Sequence, residues 1–208
     1  MSTEEHPPGK LEASFKKSAA ALRKAEVPFM LGGGLACWVR GGPESYNDLD
    51  LIVKGGDAER ALQALVDAGM RAERPPEGWL LKAWDGDVLV DIIFSPLGMD
   101  INDDTIANGD VLNVFSIQVP VMTVEDVLST KLLALSEHYL DYEHVVQIAR
   151  SLREQIDWDD VRRRTADSPY ARAFFALLNE LRITPSVPAE QQERSGPQIR
   201  IAPAHSSR

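Results

Sequence analysis

The sequence predicts an α/β fold, in which a small mixed β-sheet flanked by helices is followed by a C-terminal helical lobe. Up to about residue 120, short apolar runs that suit strands alternate with stretches whose apolar residues recur at helical spacing. After residue 120 only helical patterns follow. The pair Asp85-Gly86 lies between two apolar runs and indicates a β-hairpin. These observations predict an α/β core at residues 11–120 and a helical lobe at residues 121–183.

The first half of the predicted core alternates helices and strands. Apolar residues recur at helical spacing from Leu11 onward, and Pro28 ends that helix. Asp57 is a candidate N-cap for a later helix, which Gly69 ends. In chain order we predict a helix at 11–25, a strand at 29–31, a glycine turn at 32–34, a helix at 35–39, a strand at 48–53 and a helix at 58–68.

The second half of the core is predicted to contain the hairpin and one more strand. Apolar runs at 79–84 and 87–94 flank the Asp85-Gly86 turn and predict its two strands. Residues 95–113 are mostly polar and predict a loop. The run at 114–121 predicts a strand with Pro120 near its end.

Capping residues mark the helix starts of the lobe. Thr123 with Asp126 resembles a capping box, Asp141 can begin a second helix, and Ser168-Pro169 suits the first positions of another. The predicted helices are 124–139, 142–155, 157–165 and 170–182. Residues 1–10 are polar, and residues 184–208 are rich in Pro, Gln and Ser, so both ends are predicted to be disordered.

The composition excludes some classes of protein. The net charge of −10 argues against a surface devoted to nucleic acid, although basic residues cluster at Lys16-Lys17, Arg23-Lys24 and 162–164. The sequence contains no apolar run of about 20 residues that could span a membrane, and the polar N-terminus does not resemble a secretory signal. The single cysteine, Cys37, excludes an internal disulfide, so we expect a cytoplasmic protein.

Three carboxylates form the candidate catalytic site. Asp48 and Asp50 are two residues apart on a predicted strand and therefore share a face. Two neighbouring carboxylates repel each other unless a cation such as Mg²⁺ binds between them and the phosphates of a substrate. Asp91 lies in a strongly apolar run, and it would join the pair if the two strands are neighbours. Three carboxylates could hold two Mg²⁺ ions for an in-line phosphoryl displacement.

The glycines at residues 32–34 supply a second feature. A glycine-rich turn between a strand and a helix presents bare backbone N–H groups to an anion such as a triphosphate. The turn precedes the Asp48-x-Asp50 strand by only a short segment, which makes the combination more specific than either part. Gly33 and Gly34 are the candidate phosphate-binding residues, with Gly32 as a neighbour.

This combination resembles the DNA polymerase β-type nucleotidyltransferase superfamily. Its pattern places Gly-Gly or Gly-Ser after a strand, Asp-x-Asp on the next strand and a third carboxylate on a later strand. Here Gly33-Gly34, Asp48-x-Asp50 and Asp91 match those places. The segment at 33–53 looks especially like the bacterial nucleotidyltransferase toxins of the AbiEii/MenT type. That family often has Ser where this chain has Gly34.

The resemblance extends into the helical lobe. Those toxins carry a Lys-Leu-x-Ala motif on one helix and an Asp-rich motif on the next. The segment "KLLAL" from Lys131 matches the first motif, and "DYEH" from Asp141 matches the second in part, because His144 stands at the expected second acidic position. The resemblance implies that Lys131 contacts nucleotide phosphates and that Asp141 orients the lysine or the substrate.

The resemblance implies an enzyme that transfers a nucleoside monophosphate from an NTP to an acceptor hydroxyl and releases pyrophosphate. Asp48, Asp50 and Asp91 would bind Mg²⁺, and Gly33, Gly34, Lys131 and Asp141 would bind the nucleotide. By its resemblance to MenT-type toxins, the chain would use the 3′ end of tRNA as its acceptor, and its partner would be a cognate antitoxin protein. The alternatives are transfer to an antibiotic or to a protein, or a non-catalytic nucleotide-binding module. Any of Trp38, Trp79 and Trp84 could stack on a base.

Overall fold

The computed structural model describes residues 8–45 and 48–184. The disorder predicted for residues 1–7 and 185–208 falls outside these residues. The prediction of disorder at residues 8–10 is wrong, because the first helix begins at Pro8. Proline is well tolerated in the first turn of a helix, where its missing N–H would have no partner.

The helices are α1 (Pro8–Lys24), α2 (Gly33–Trp38), α3 (Ala58–Asp67), α4 (Asp103–Ala107), α5 (Val124–Ala134), α6 (Tyr142–Leu152), α7 (Trp158–Arg164) and α8 (Pro169–Glu180). The strands are β1 (Met30–Leu31), β2 (Asp48–Ile52), β3 (Arg71–Glu73), β4 (Leu80–Asp85), β5 (Val88–Ile93), β6 (Asp110–Val114) and β7 (Ile117–Val121). The predicted α/β fold class, with a mixed sheet followed by helices, is confirmed.

Among the described residues, seven strands form one sheet in the order β3-β4-β5-β2-β1-β7-β6. The sheet is mixed, because β2 pairs with β5 and β1 with β7 in parallel, while the other neighbours are antiparallel. The predicted hairpin is present as β4 and β5, but its loop consists of Gly86 and Asp87, one residue later than the predicted Asp85-Gly86 turn. Gly86 has φ +65°, which a tight hairpin turn requires. This order places β5 directly beside β2, so Asp91 and Asp50 lie on adjacent strands.

Helices α1 and α3 cover one face of the sheet. Helix α1 packs against α3, β2 and β5, and α3 packs against β4 and β5. On β2 the side chains of Leu49 and Leu51 are completely buried, whereas those of Asp48 and Asp50 are only half-buried. This alternation is the one predicted from the strand period, and it leaves the carboxylates on the other face of the sheet.

Two predictions are wrong in part. They are the polar loop at residues 95–113 and the single strand at 114–121. The first segment contains α4 and β6, and the second is divided by a tight turn that joins β6 to β7. The turn residues Phe115 and Ser116 both have positive φ values, of 48° and 70°. Hairpin turns of this kind usually carry glycine or asparagine, so the sequence contains no signal for this one. The short strand β3 was also not predicted, because its three residues carry no apolar alternation.

The lobe consists of α5 to α8, in which the predicted caps are present. Thr123, Asp141 and Ser168 each accept a hydrogen bond from a backbone N–H in the first turn of α5, α6 and α8. Helix α5 packs against α6, α7 and α8 and also against α2. It ends at Ala134, earlier than predicted, and the chain continues in an extended conformation at Leu135. Buried apolar side chains of the sheet and of the lobe form one continuous cluster. None of the described helices has the length and apolar content needed to cross a membrane.

Candidate active site

The three predicted carboxylates meet on one face of the sheet. Asp50 on β2 lies directly opposite Asp91 on β5, and Asp48 precedes Asp50 on the same face. A carboxylate oxygen from each of the three residues lies within 4.8 Å of the other two. This spacing would let one cation contact more than one carboxylate.

Burial and mutual repulsion raise the pKa values of Asp50 and Asp91. The pKa of Asp50 rises to about 7, because the carboxyl is buried and because Asp48 and Asp91 are nearby, although Lys131 and Lys82 oppose the rise. Burial also raises the pKa of Asp91, and the ammonium of Lys82 partly offsets this. Negative charge at these carboxylates therefore destabilises the folded chain, and a bound divalent cation would remove this destabilisation.

The donor set fits a hard cation. Carboxylate oxygens are the protein ligands that Mg²⁺ prefers. Oδ1 of Asp91 is buried and makes no hydrogen bond to any described residue, although Nζ of Lys82 lies 3.4 Å from it. An oxygen in that situation has lone pairs available for a metal ion.

We expect the metal-free protein to lose stability as the pH rises from about 4 to about 7, and to lose no more from this group above that range. An unfolded aspartate has lost its proton above about pH 4, whereas folded Asp50 keeps its proton until the pH reaches about 7. Between these values the folded state binds the extra proton, so the free energy of unfolding falls as the pH rises. Thermal unfolding in EDTA at about pH 5 and about pH 8 would measure this fall.

The matched control for this pH dependence is Asp50→Asn, which should show a smaller fall than the wild type. Added Mg²⁺ should raise the melting temperature of the wild type at the higher pH and have less effect on Asp50→Asn. The same pH dependence in both proteins would contradict the assignment of the titration to Asp50.

Lys82 is a site residue that the sequence analysis missed. It lies opposite Asp91 in the β4–β5 hairpin, so Lys82, Asp91 and Asp50 form a row across three strands. The observed two-residue loop at Gly86-Asp87 places residue 82 opposite residue 91. The predicted loop at Asp85-Gly86 would instead have paired residue 82 with residue 89, so the sequence prediction contained no correct signal for Lys82. Its ammonium is the nearest described cation to the third carboxylate.

Gly33 has a conformation and a position that exclude a side chain. Its φ is +59°, in the left-handed region, and a Cβ atom there would overlap Oδ2 of Asp50. The glycine therefore lets the backbone touch the carboxylate cluster. Helix α2 begins at this residue, so the predicted turn glycines Gly33 and Gly34 form the first residues of the helix.

Gly34 is covered by another residue. A Cβ atom on Gly34 would overlap Oγ of Ser45 and lie 2.8 Å from its Cβ. The side chain of Ser45 thus fills the volume that a side chain at residue 34 would need. The sequence analysis missed Ser45, since nothing in the spacing of residues 34 and 45 indicates this contact.

Lys131 lies on α5 near the carboxylates, whereas Asp141 has a structural contact. Lys131 and Asp50 line the same cavity. Burial lowers the pKa of His144, and the nearby Lys131 ammonium lowers it further. Asp141 accepts a hydrogen bond of 3.2 Å from the backbone N–H of His144 and so caps α6. The structure thus places Lys131 at the cluster and Asp141 at the start of α6.

Two of the three basic clusters that could have bound RNA, at Lys16-Lys17 and at residues 162–164, are engaged in contacts within the chain. Arg163 and Arg164 pair with Asp160, Arg164 also pairs with Asp126, and the guanidinium of Arg162 lies 4.6 Å from the ring centre of Phe175. On α1, Lys16 pairs with Glu12 and Lys17 with Asp85, each at 2.6 Å. These contacts reduce the positive charge available to a phosphate backbone.

A cavity of about 630 Å³ opens beside the carboxylate cluster. Its polar end contains Gly33, Asp50 and Lys131. The rest of the wall is largely apolar and comes from the ends of β2 and β5, the segment after β5, and α5. A molecule with a charged end and an apolar body would suit this cavity.

Comparisons with known proteins support the fold. No protein-family model and no curated protein matches the chain. The antibiotic-resistance factor ANT(2'')-Ia has a similar structure, with a TM-score of 0.61 and 16% identity over 85% of this chain and 98% of that chain. The same protein in complex with adenylyl-2''-tobramycin gives a TM-score of 0.58 and 16% identity over 79% of this chain and 99% of that chain.

A protein from H. pylori that is assigned as a nucleotidyltransferase gives a TM-score of 0.50 and 15% identity, over 88% of this chain and 83% of that chain. The likeness to AbiEii/MenT-type toxins stays a prediction. At these identities the likeness concerns the fold alone, and this chain has the fold of the nucleotidyltransferases.

Proposed function

We propose that this protein is a metal-dependent nucleotidyltransferase that transfers a nucleoside monophosphate from an NTP to an acceptor hydroxyl. The observation that carries the proposal is the meeting of three carboxylates, within 4.8 Å of one another, beside a glycine in left-handed conformation. A binding module has little use for three adjacent like charges, because they cost stability unless a cation neutralises them. The nucleotidyltransferase fold supports the same reading.

The residues divide the chemistry between them. Asp48, Asp50 and Asp91 would hold Mg²⁺, which when bound polarises phosphoryl oxygens and neutralises their charge. Asp91 accepts the proton of the acceptor hydroxyl, whose oxygen bonds to the α-phosphorus. The bond from that phosphorus to its bridging oxygen breaks, and pyrophosphate leaves. Gly33 allows the phosphates to approach the cluster, and Lys131 donates to phosphate oxygens.

We propose a small hydroxyl-bearing molecule as the acceptor. The ion pairs of two of the three basic clusters support this, because an RNA substrate would need free positive charge at its phosphates. ANT(2'')-Ia, which was solved with adenylyl-2''-tobramycin, is an example of this fold with a modified antibiotic. The second candidate acceptor is the 3′ end of tRNA, with an antitoxin protein as the partner. The matches to the toxin motifs at Lys131 and Asp141 favour this candidate.

Incubation with Mg²⁺ and NTPs labelled at the α-phosphate would test the proposal. One reaction would contain total tRNA, and the other a panel of hydroxylated small molecules that includes antibiotics. Label on a small molecule supports the proposed acceptor, and label on tRNA supports the second candidate. A third reaction would contain candidate protein acceptors. Mg²⁺-dependent binding of NTP without release of pyrophosphate in any of the three reactions would identify a non-catalytic module.

We expect Lys131→Ala to lower kcat/KM for the NTP by about a hundredfold or more, the usual effect of losing one donor to a developing charge. The side chain is half-exposed, so the fold should survive. Steady-state kinetics with varied NTP would measure the loss. The matched control is Lys24→Ala at the exposed end of α1. An unchanged kcat/KM in a folded Lys131→Ala protein would remove Lys131 from the site.

A further inference from the structure

The cavity beside the carboxylates contains only part of the site. Gly33, Asp50 and Lys131 line it, whereas Asp91 and Lys82 do not. In the proposed reaction the first three residues serve the nucleotide, and Asp91 receives the proton of the acceptor. The cavity is therefore the binding site of the nucleotide, and the acceptor binds on the side of Asp91 and Lys82.

The distance from the carboxylates to the apolar wall of the cavity suits a nucleoside. Ile52 and Ile93 line the cavity and follow Asp50 and Asp91 by two residues on the same strand faces. Two residues of a strand span about 7 Å, a separation that a ribose can bridge between an α-phosphate and a base. The apolar wall contains no carboxylate beyond Asp50, so a flat aromatic group suits it better than a polycation.

Among the three candidate tryptophans, the structure places one in this wall. Trp79 lines the cavity and its residue is 41% exposed. Trp38 packs on Phe115, with ring centres 5.7 Å apart. Trp84 lies at the other end of β4, where its Nε1 donates to Glu73 at 2.7 Å.

The backbone of Trp79 is held at the end of β5. Its carbonyl oxygen accepts hydrogen bonds from the N–H groups of Phe94 and Ser95, at 3.1 and 3.3 Å. The backbone of Trp79 is therefore anchored beside the cavity, while its side chain lines the wall and stays accessible. An accessible, anchored aromatic ring beside a phosphate site is the usual platform for a base.

Building on the proposed function, we propose that the base of the bound NTP stacks on the indole of Trp79. Stacking recognises any base by its flat face, so all four NTPs should use the same platform. Trp79 is thus the residue that binds the nucleoside, while Gly33 and Lys131 bind the phosphates.

The test compares each of the four NTPs with inorganic tripolyphosphate, which has no base. Dissociation constants would be measured by calorimetry with Mg²⁺ for the wild type, Trp79→Ala, Trp79→Phe and Trp84→Ala. We expect Trp79→Ala to weaken NTP binding by about tenfold or more, the usual loss for one stacked base. Tripolyphosphate binding should not change, Trp79→Phe should recover most of the NTP affinity, and Trp84→Ala, as the matched control, should alter neither ligand.

Other outcomes separate the two proposals. Unchanged NTP affinity in Trp79→Ala overturns the stacking proposal and leaves the nucleotidyltransferase proposal standing. Equal weakening of NTP binding and tripolyphosphate binding in Trp79→Ala also overturns the stacking proposal, because the base would then contribute nothing to the affinity that the substitution removes. A wild-type protein that binds neither NTP nor tripolyphosphate with Mg²⁺ overturns the proposed function itself.

Discussion

Asp48→Ala or Asp50→Ala is expected to abolish nucleotidyl transfer while the protein stays folded. Loss of a residue that only supports a metal ligand typically costs about 10- to 100-fold in activity or affinity, so the loss of a ligand should cost more than about a hundredfold. The fold should survive because each substitution removes one of three like charges that lie within 4.8 Å of one another. Release of pyrophosphate would measure activity, and circular dichroism with thermal unfolding would measure the fold.

Asp167→Ala provides the matched control, because Asp167 is exposed in the link between α7 and α8. It removes the same charge from the chain without touching the site. Full transfer activity in a folded Asp48→Ala or Asp50→Ala protein would refute the assignment of these carboxylates. Loss of activity in Asp167→Ala as well would mean that net charge, rather than metal binding, is responsible.

Gly33→Ala should impair both activity and stability. The residue has φ +59°, a conformation that costs a non-glycine residue about 1–3 kcal/mol. The new methyl group would also overlap Oδ2 of Asp50, so the carboxylate or the backbone must move. A displacement of about 1 Å at a reacting centre can cost about a hundredfold in rate. Chemical denaturation would measure the loss of stability, and pyrophosphate release the loss of activity.

The control for this substitution is Gly56→Ala. A Cβ atom on Gly56 meets no atom within 4 Å, and its backbone is not in the left-handed region. It should therefore leave the activity unchanged and should not lower the free energy of unfolding. Wild-type activity in Gly33→Ala would show that the backbone at this glycine does not have to contact the carboxylate cluster.

Short elements with little apolar periodicity were the weakest part of the sequence prediction. The turn at Phe115-Ser116 is left-handed without glycine or asparagine, so packing against the rest of the sheet, rather than local preference, must hold it. Phe115 supports this, because its ring packs on those of Phe15 and Trp38. A single strand was predicted across this turn, since nothing local in the sequence interrupts it.

The helices of the lobe were predicted well because their signals are local. Thr123, Asp141 and Ser168 cap α5, α6 and α8 through their own first turns, so a few neighbouring residues contain the whole interaction. Asp57 shows the limit of this reasoning. It stands before α3 as predicted, but its carboxylate makes no capping hydrogen bond and instead pairs with Arg60 at 2.8 Å and with Lys54 at 3.5 Å.

The sequence by itself determined that Asp48 and Asp50 share one face of a strand and that a glycine turn precedes them, because strand alternation and turn geometry depend only on adjacent residues. Only the tertiary structure decided that β5 lies beside β2, which brings Asp91 opposite Asp50. It also decided that Ser45 covers Gly34 and that Trp79 faces the cavity. These contacts join residues far apart in the chain, and they form only when burial of the whole apolar core selects one arrangement of the strands.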